Sequence, residues 1–335
     1  MNITQLPNAE YWAKRTEKHA LDMWKNVAKT ESTIKRYYLK QSADIKQLLA
    51  KFYQDYADVN GLTYAQATQA LRGRQLQEVL FDIDGTYTLQ REINRLEGLN
   101  LQIDKRLAEL HNTTEEQLTN QLKLSYTDGY YYAIYSAQAQ VGVGTAFNLL
   151  NTKALEIALS QPYLGEFYSD RLWHNKELLT RNLKRVLTDG IVNGKSYKSL
   201  ARDLADVMDT NYSYAKRIIR TENANIYNQA TAKGYEESGF VKQYQILATL
   251  DNRTSKKCQH EDLKIYDLKD KEVGVNFPPY HPQCRSCVTS YFDDRDLSNL
   301  TRIARDAETG KNYKVPRNIS YETWKKEYVD NKVAN

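Results

Sequence analysis

Cysteine and histidine residues gather in two short blocks of this sequence, DNRTSKKCQH at 251–260 and PPYHPQCRSC at 278–287. Together the blocks hold all three cysteines and two of the five histidines of the chain. Thiolate and imidazole groups are preferred ligands of Zn²⁺, which takes four of them at the corners of a tetrahedron. The blocks therefore offer a candidate zinc site, but their spacing differs from the common pairs of Cys-x2-Cys. Its candidate ligands are Cys258, His281, Cys284 and Cys287.

The sequence favours a metal-free interpretation of the same residues. Cys258 and Cys284 would then be small buried apolar residues that join two loops. His281 would hydrogen-bond a backbone carbonyl between its flanking prolines. The segment between the blocks alternates short apolar pairs with turn residues, which predicts a small β-structure that brings the two loops together.

One motif suggests a phosphatase. The run VLFDIDGT at 79–86 matches the first motif of haloacid dehalogenase-type phosphatases, in which Asp82 would be the nucleophile and Asp84 the general acid beside Mg²⁺. That chemistry needs the end of a buried parallel strand in a doubly wound sheet. The rest of the chain shows no alternation of strands and helices, so we expect an Asp-Gly turn and no phosphatase activity.

A carboxylate between arginines suggests a second kind of enzyme. Glu222, with Arg220 and Arg253, could act as the acid of a nucleic-acid-cleaving or ribosyl-transferring site. An ion pair between Glu222 and Arg253, joining a long helix to a loop, explains the same residues without chemistry. We expect the ion pair, and no enzyme activity.

Basic residues concentrate in one segment of the chain. The net charge is only +5, but residues 171–220 contain eleven lysines and arginines against five aspartates and glutamates. Three of the basic residues, Arg181, Lys184 and Arg185, lie within about one helical turn and can contact neighbouring phosphates of DNA. The alternative is that they form salt bridges, either with a protein partner or with acidic residues of this chain such as Asp203 and Asp206. A nucleic-acid-binding or processing factor is therefore the second function that the sequence suggests.

Composition excludes several other classes of protein. Three cysteines within one motif argue against a disulfide-stapled secreted domain. No stretch approaches the roughly 18 apolar residues of a membrane span, and the start MNITQLPNAEYWAKR lacks a signal-peptide pattern. We therefore expect neither export nor association with a membrane.

Hydrophobic spacing predicts the elements that must position these residues. Apolar residues recur every three or four positions between about residues 10 and 58, and Asn60-Gly61 ends this helix. We predict a mainly α fold, in which long N-terminal helices precede a smaller α+β C-terminal module with a Cys/His knuckle. The same criteria predict further helices over about 63–80, 89–124, 133–159, 170–187, 198–208 and 212–238, and a strand over about 243–250.

Breaker residues near Pro162 divide the sequence. We predict a helical N-terminal region over 1–162, a second domain over 163–295 and a charged tail with short helices over 296–335.

The order of the motifs resembles the Mu F-like head morphogenesis family, in its branch of minor capsid proteins from phages of Gram-positive bacteria. A helix with Arg-Thr-Glu, a strand ending in Asp-x-Arg-Thr, a cysteine and Pro-Pro-x-His-Pro-x-Cys-Arg follow one another within roughly residues 170–292. Many members of the family have cysteine where this chain has Ser255. Besides the candidate zinc ligands, the resemblance marks a structural motif made of Arg220, Thr221, Glu222, Asp251, Arg253, Thr254, Pro278, Pro279 and Arg285.

The resemblance implies a structural role in a tailed phage, with 163–295 as the head morphogenesis domain. Such proteins are made in the host cytoplasm, bind the portal protein during procapsid assembly and stay in the head interior in few copies. Some of them contact the packaged DNA without sequence preference. Scaffold and major capsid proteins are further candidate partners.

Tyrosine is frequent in this chain, at 26 residues against seven phenylalanines. Tyr combines a large apolar ring with a polar tip, which suits surfaces that a partner covers during assembly. The cluster Tyr130, Tyr131, Tyr132 and Tyr135 therefore predicts that the helical first half contacts the portal. A place at the boundary of the core, with the hydroxyl in water, explains these residues equally well.

Overall fold

The computed structural model describes residues 9–70, 86–141, 146–193, 195–292, 301–305, 311–316, 319 and 321–330. The two aspartates of the phosphatase motif, Asp82 and Asp84, lie outside the described residues, as does the end of the predicted helix over 63–80.

Helices dominate the described part of the chain, and a small sheet follows them, which confirms the predicted fold class. The helices are α1 Ala9–Val59, α2 Tyr64–Ala70, α3 Thr86–Val141, α4 Thr152–Leu159, α5 Tyr168–Val192, α6 Tyr197–Ser238, α7 Lys256–Glu261 and α8 Tyr321–Lys325. The strands are β1 Gln243–Leu247, β2 Ile265–Asp267, β3 Cys287–Tyr291, β4 Thr301–Arg305 and β5 Asn312–Pro316. None of the described helices is long and apolar enough to span a lipid bilayer.

The first helix forms where its apolar spacing predicts. Ile34, Tyr38, Ile45 and Leu49 recur at steps of four and seven residues and are all buried on α1. The helix ends at Val59, and Gly61 follows it with φ of +64°, a left-handed conformation that favours glycine.

Two predicted breaks between helices are wrong. α3 continues through residues 125–132, and α6 is one helix of 42 residues where two were expected. Asp-Gly at 128–129 suggests a turn, but α3 packs there against α6. A Cβ on Gly129 would lie 3.0 Å from the carbonyl oxygen of Tyr227, and one on Gly234 would lie 2.5 Å from that of Tyr130. The glycines therefore allow two helix backbones to approach closely, and at Gly129 this tertiary contact overrides the turn preference.

The helix predicted over 133–159 is also interrupted. α3 ends at Val141, and α4 begins only at Thr152. Asn151 caps α4, because its side-chain oxygen accepts a hydrogen bond from the backbone nitrogen of Ala154 at 2.9 Å.

The C-terminal module is built around a three-stranded antiparallel sheet with β1 in the centre. Gln243 pairs with Asp267 of β2, and Leu247 pairs with Cys287 of β3. One face of the sheet buries Tyr244, Ile246 and Val288 against Ala133 and Ala137 of α3, Ala232 and Tyr235 of α6, and Phe277.

Two strands appear in the tail, where only short helices were predicted. β4 and β5 form an antiparallel pair, and α8 follows. Trp324 of α8 is fully buried against Leu250 and Val315, in a small apolar cluster that also contains Ala304 and Ile319. This cluster anchors a segment otherwise rich in charge.

The chain forms two compact units, each assembled from separate segments. Unit 1 comprises residues 1–29, 119–165 and 217–335, and unit 2 comprises residues 30–118 and 166–216. The domain boundaries near 162 and 295 stay predictions.

Candidate functional site

The Cys/His cluster consists of Cys258, His281 and Cys284, whose donor atoms all lie within 4.8 Å of one another. Cys258 Sγ lies 3.6 Å from Cys284 Sγ and 3.2 Å from Nε2 of His281. Both cysteines are buried, and His281 is half-buried. Two soft sulfur donors and one imidazole at this separation can hold a metal ion.

Capping places Cys258 in this cluster. Ser255 is the N-cap of α7, and its Oγ accepts a hydrogen bond from the backbone nitrogen of Cys258 at 3.2 Å. This serine stands where many members of the family that the sequence resembles have a cysteine. It therefore acts here as a cap, on the first turn of the helix that carries Cys258.

The loop of His281 and Cys284 is held by backbone hydrogen bonds. The backbone nitrogen of Cys284 donates to the carbonyl oxygen of His281 at 3.1 Å, and that of Gln283 donates to Thr221 Oγ1 of α6 at 3.0 Å. Thr221 in turn donates to the carbonyl oxygen of Arg217 at 2.7 Å. Thr221 thus serves the cluster indirectly, by holding its loop against α6.

The proline pair that precedes His281 is buried. Pro278 and Pro279 are joined by a cis peptide bond, and the carbonyl oxygen of Pro279 accepts a hydrogen bond from Tyr163 at 3.4 Å. The motif prolines therefore lie inside unit 1 and lead directly into the loop of the cluster.

Cys287, the fourth predicted ligand, lies elsewhere. It is the first residue of β3, where the pairing with Leu247 fixes its backbone, and it lines a separate pocket together with Arg220 and Asp251. The four-ligand prediction is thus corrected to three residues, because the sheet register decides which way this cysteine points.

Hydrogen bonding between the two thiols separates their pKa values. The Cys258 thiol donates to Cys284 Sγ, which lowers the pKa of Cys284 to about 6 even though burial acts in the opposite direction. The same hydrogen bond, together with burial, raises the pKa of Cys258. The cluster therefore favours one thiolate near neutral pH, and the thiolate is the form of cysteine that binds metals.

Asp251 anchors the loop that follows β1. Its buried carboxylate accepts two hydrogen bonds from Arg285, at 2.5 and 2.7 Å, one from the backbone nitrogen of Arg253 at 3.0 Å and one from Thr254 Oγ1 at 3.2 Å. Burial alone would raise the pKa of Asp251, but the hydrogen bonds and charge of Arg285 outweigh burial and lower it. The bidentate pair joins the end of β1 to the segment before β3.

Several residues of the structural motif meet at one pocket of about 420 Å³. Arg220, Asp251, Arg253 and Arg285 line it. Arg253 was expected to form an ion pair with Glu222. It pairs instead with Asp251, since Nη2 of Arg253 lies 3.7 Å from the Asp251 carboxylate. Glu222 is buried on α6 and is not among the residues that line the pocket.

The three predicted DNA contacts lie on α5, in unit 2. Arg181 and Arg185 are exposed, whereas Lys184 Nζ lies 2.7 Å from the carboxylate of Asp104. Lys195 pairs with Asp203 at 2.6 Å. Salt bridges within the chain therefore occupy part of the basic segment.

Comparison with known proteins matches the same part of the chain to one family. Residues 181–290 match the family of Phage Mu protein F like proteins, a range that includes α6, the sheet, the cluster and the Asp251 anchor. No solved structure matches the chain significantly.

Two relatives carry different names. The chain is 21% identical over 315 residues to the minor head protein GP7 of Bacillus phage SPP1. This match covers 90% of this chain and 93% of that protein. It is 25% identical over 254 residues to the NAD(+)–arginine ADP-ribosyltransferase EFV of Enterococcus faecalis. The second match covers 75% of this chain but only 46% of that protein, so the chain spans about half the length of this relative. The chain is thus similar to the Phage Mu protein F like family over residues 181–290 and, along nearly its whole length, to a phage minor head protein.

Proposed function

We propose that this protein is built into the head of a tailed phage and binds the portal protein during procapsid assembly. The observation that carries the proposal is the likeness to a minor head protein along 90% of this chain and 93% of the relative. A match of that extent includes the helical segments as well as the C-terminal module. We place the protein in the head interior of the virion, with scaffold or major capsid protein as further partners.

An aromatic surface on α3 supports a protein partner. Tyr131, Tyr132, Tyr135 and Leu124 line a pocket of about 520 Å³ in unit 1, and we call these four residues the α3 aromatic surface. Tyr135 is 50% exposed and Leu124 is 64% exposed. Of the tyrosine cluster in the sequence, Tyr130 is instead buried and donates a hydrogen bond to the carbonyl oxygen of Asn148. Tyrosine is enriched among binding hot spots, and Tyr135 offers an exposed ring beside this pocket.

Co-expression with the cognate portal protein, followed by pull-down at modest salt, tests the proposal. The double substitution Leu124→Ala and Tyr135→Ala should weaken the association by about tenfold or more, because hot-spot truncations cost about 2 kcal/mol. Leu101→Ala is the matched control, since Leu101 lies on the same helix and is 72% exposed, but is not part of the α3 aromatic surface. A full-length chain that never binds the portal contradicts the proposal, as does its absence from purified virions and procapsids by mass spectrometry.

Contact with DNA is a second role, carried by the basic residues of α5. Three phosphate contacts would give a slope of about −3 in a plot of log affinity against log salt. Because Lys184 already contacts Asp104, we expect two contacts and a slope of about −2. Changing Arg181 and Arg185 to Ala should abolish this binding and leave the portal pull-down unchanged. Loss of portal binding alone would identify the basic face as a protein contact.

We propose no catalytic role. The transferase named above is a longer protein, of which this chain covers 46%, so its activity can reside outside the shared part. Glu222, the acid considered from the sequence, is buried on α6. Incubation of the protein with NAD⁺ and an arginine-rich acceptor should therefore give no transfer. Transfer that disappears in Glu222→Gln would contradict this expectation.

A further inference from the structure

The donor atoms of the Cys/His cluster stand at nearly the distances that a tetrahedral zinc centre requires. Zn–S bonds of about 2.3 Å and Zn–N bonds of about 2.0–2.1 Å at tetrahedral angles separate two sulfurs by about 3.8 Å, and a sulfur from a nitrogen by about 3.5 Å. The observed separations are 3.6 Å between Cys258 and Cys284, and 3.2 Å between Cys258 and His281. All three cysteines are free thiols, so no disulfide accounts for this approach.

The orientation of His281 also suits a ligand. Its Nδ1 lies 2.8 Å from the carbonyl oxygen of Pro282. A carbonyl oxygen only accepts, so Nδ1 carries the proton and Nε2 presents its lone pair to the two sulfurs. Histidine ligands of metals are commonly fixed in this way, by donating the second ring N–H to a backbone carbonyl.

A buried hydroxyl beside the thiols gives an independent indication. Ser286 is 4% exposed, and among the described residues its Oγ has no well-formed hydrogen bond. It nevertheless lies close enough to Cys258 and Cys284 to influence both thiols. A metal-bound thiolate would accept a well-formed hydrogen bond from this hydroxyl.

We propose that Cys258, His281 and Cys284 bind one Zn²⁺, that Ser286 donates a hydrogen bond to the bound thiolates, and that Cys287 is not a ligand. A water molecule then completes the tetrahedron on the half-buried side of His281. The ion links α7 to the loop before β3, two segments that are more than twenty residues apart, so its binding free energy adds to the stability of the module. This inference does not depend on the role of the protein in the phage head.

Metal analysis of the full chain, purified from zinc-supplemented cells, tests the proposal. The wild-type protein should contain about one zinc per chain, and Cys284→Ser should retain less than about a tenth of that. Cys287→Ser is the matched control, because Cys287 is also buried, and it should keep the full amount. His281→Gln, at a half-exposed position, should lose the metal with little change in circular dichroism.

Titration of the chelator-treated protein with Co²⁺ distinguishes the loss of a metal ligand from the misfolding of a cysteine variant. Wild type and Cys287→Ser should both develop the visible absorption of tetrahedral cobalt and thiolate charge-transfer bands, and His281→Gln should not. A wild-type chain without zinc and without a cobalt spectrum overturns the site. Equal loss of metal in Cys287→Ser and Cys284→Ser, or an unchanged cobalt spectrum in His281→Gln, overturns the ligand set.

Discussion

The two compact units each contain an ion pair that joins distant segments, and the two pairs differ in their surroundings. In unit 1, Asp251 is 5% exposed and accepts two hydrogen bonds from Arg285. In unit 2, Lys184 and Asp104 are 37% and 40% exposed and share a single contact of 2.7 Å. A buried, doubly bonded pair holds its two segments in one geometry, whereas an exposed pair competes with water and salt.

The same contrast runs through the rest of the two units. The loops of unit 1 depend on single polar contacts, such as Thr221 with Gln283 and Ser255 with Cys258. The helices of unit 2 bury repeated apolar residues, which share the stabilisation among many contacts. Single substitutions should therefore have larger effects in the loops of unit 1 than on the surface of unit 2.

Removal of the buried carboxylate should have the largest effect. Asp251→Ala leaves the Arg285 guanidinium without its partner, and we expect the free energy of unfolding to fall by about 3 kcal/mol in urea titrations. Arg253→Ala is the control, because the Arg253 side chain is 68% exposed and its contact with Asp251 is long, at 3.7 Å. This substitution should change the free energy of unfolding by less than about 0.5 kcal/mol. Equal effects of the two substitutions would refute the distinction between buried and exposed pairs.

Acid should weaken the same contact. The pKa of Asp251 in the folded chain lies below its ordinary value of 3.8, so its contribution to stability is complete above that value and is lost as the pH falls through the folded-state pKa. The difference in unfolding free energy between wild type and Asp251→Ala should thus be constant from about pH 7 to pH 5 and shrink below about pH 4. A difference that does not change with pH would show that the carboxylate charge contributes nothing.

A buried neutral contact of unit 2 should have an intermediate effect. The Tyr38 hydroxyl donates to Asn211 Oδ1 at 2.9 Å, and Asn175 Nδ2 lies 3.4 Å from the same hydroxyl. Tyr38→Phe keeps the ring and removes the hydroxyl, so we expect a loss of about 1 kcal/mol. Thermal unfolding measures this loss of stability. Tyr37→Phe is the control, because Tyr37 is the neighbouring residue and is half-buried. No loss in Tyr38→Phe would show that water replaces the hydroxyl.

The exposed pair should have the smallest effect on stability. Lys184→Ala should lower the free energy of unfolding by no more than about 0.5 kcal/mol, and added salt should erase that difference. Urea titrations at low and high salt measure it. A loss as large as that of Asp251→Ala would mean that burial does not set the difference between the two pairs.

Much of the fold could be predicted because helix formation is governed by local spacing. The periodic apolar residues of α1 define its ends to within one residue, and Gly239 ends α6 with φ of +80°, as glycine after a helix predicts. The continuity of α3 through 125–132 and of α6 through 209–211 could not be predicted. Gly129 resembles a breaker in sequence, and only the close approach of the two backbones shows that it serves packing.

For the candidate site, residue types and spacing determined that Cys258, His281 and Cys284 would share one small module with Asp251 and its arginines. Only the tertiary structure decided which cysteine is left out and which arginine holds Asp251. Cys287 belongs to β3, where the pairing with β1 directs its side chain, and Arg285 reaches Asp251 because the same pairing brings the two loops together. Local sequence sets helices through contacts a few residues apart, whereas the direction of a loop side chain depends on strand register and helix packing between distant segments.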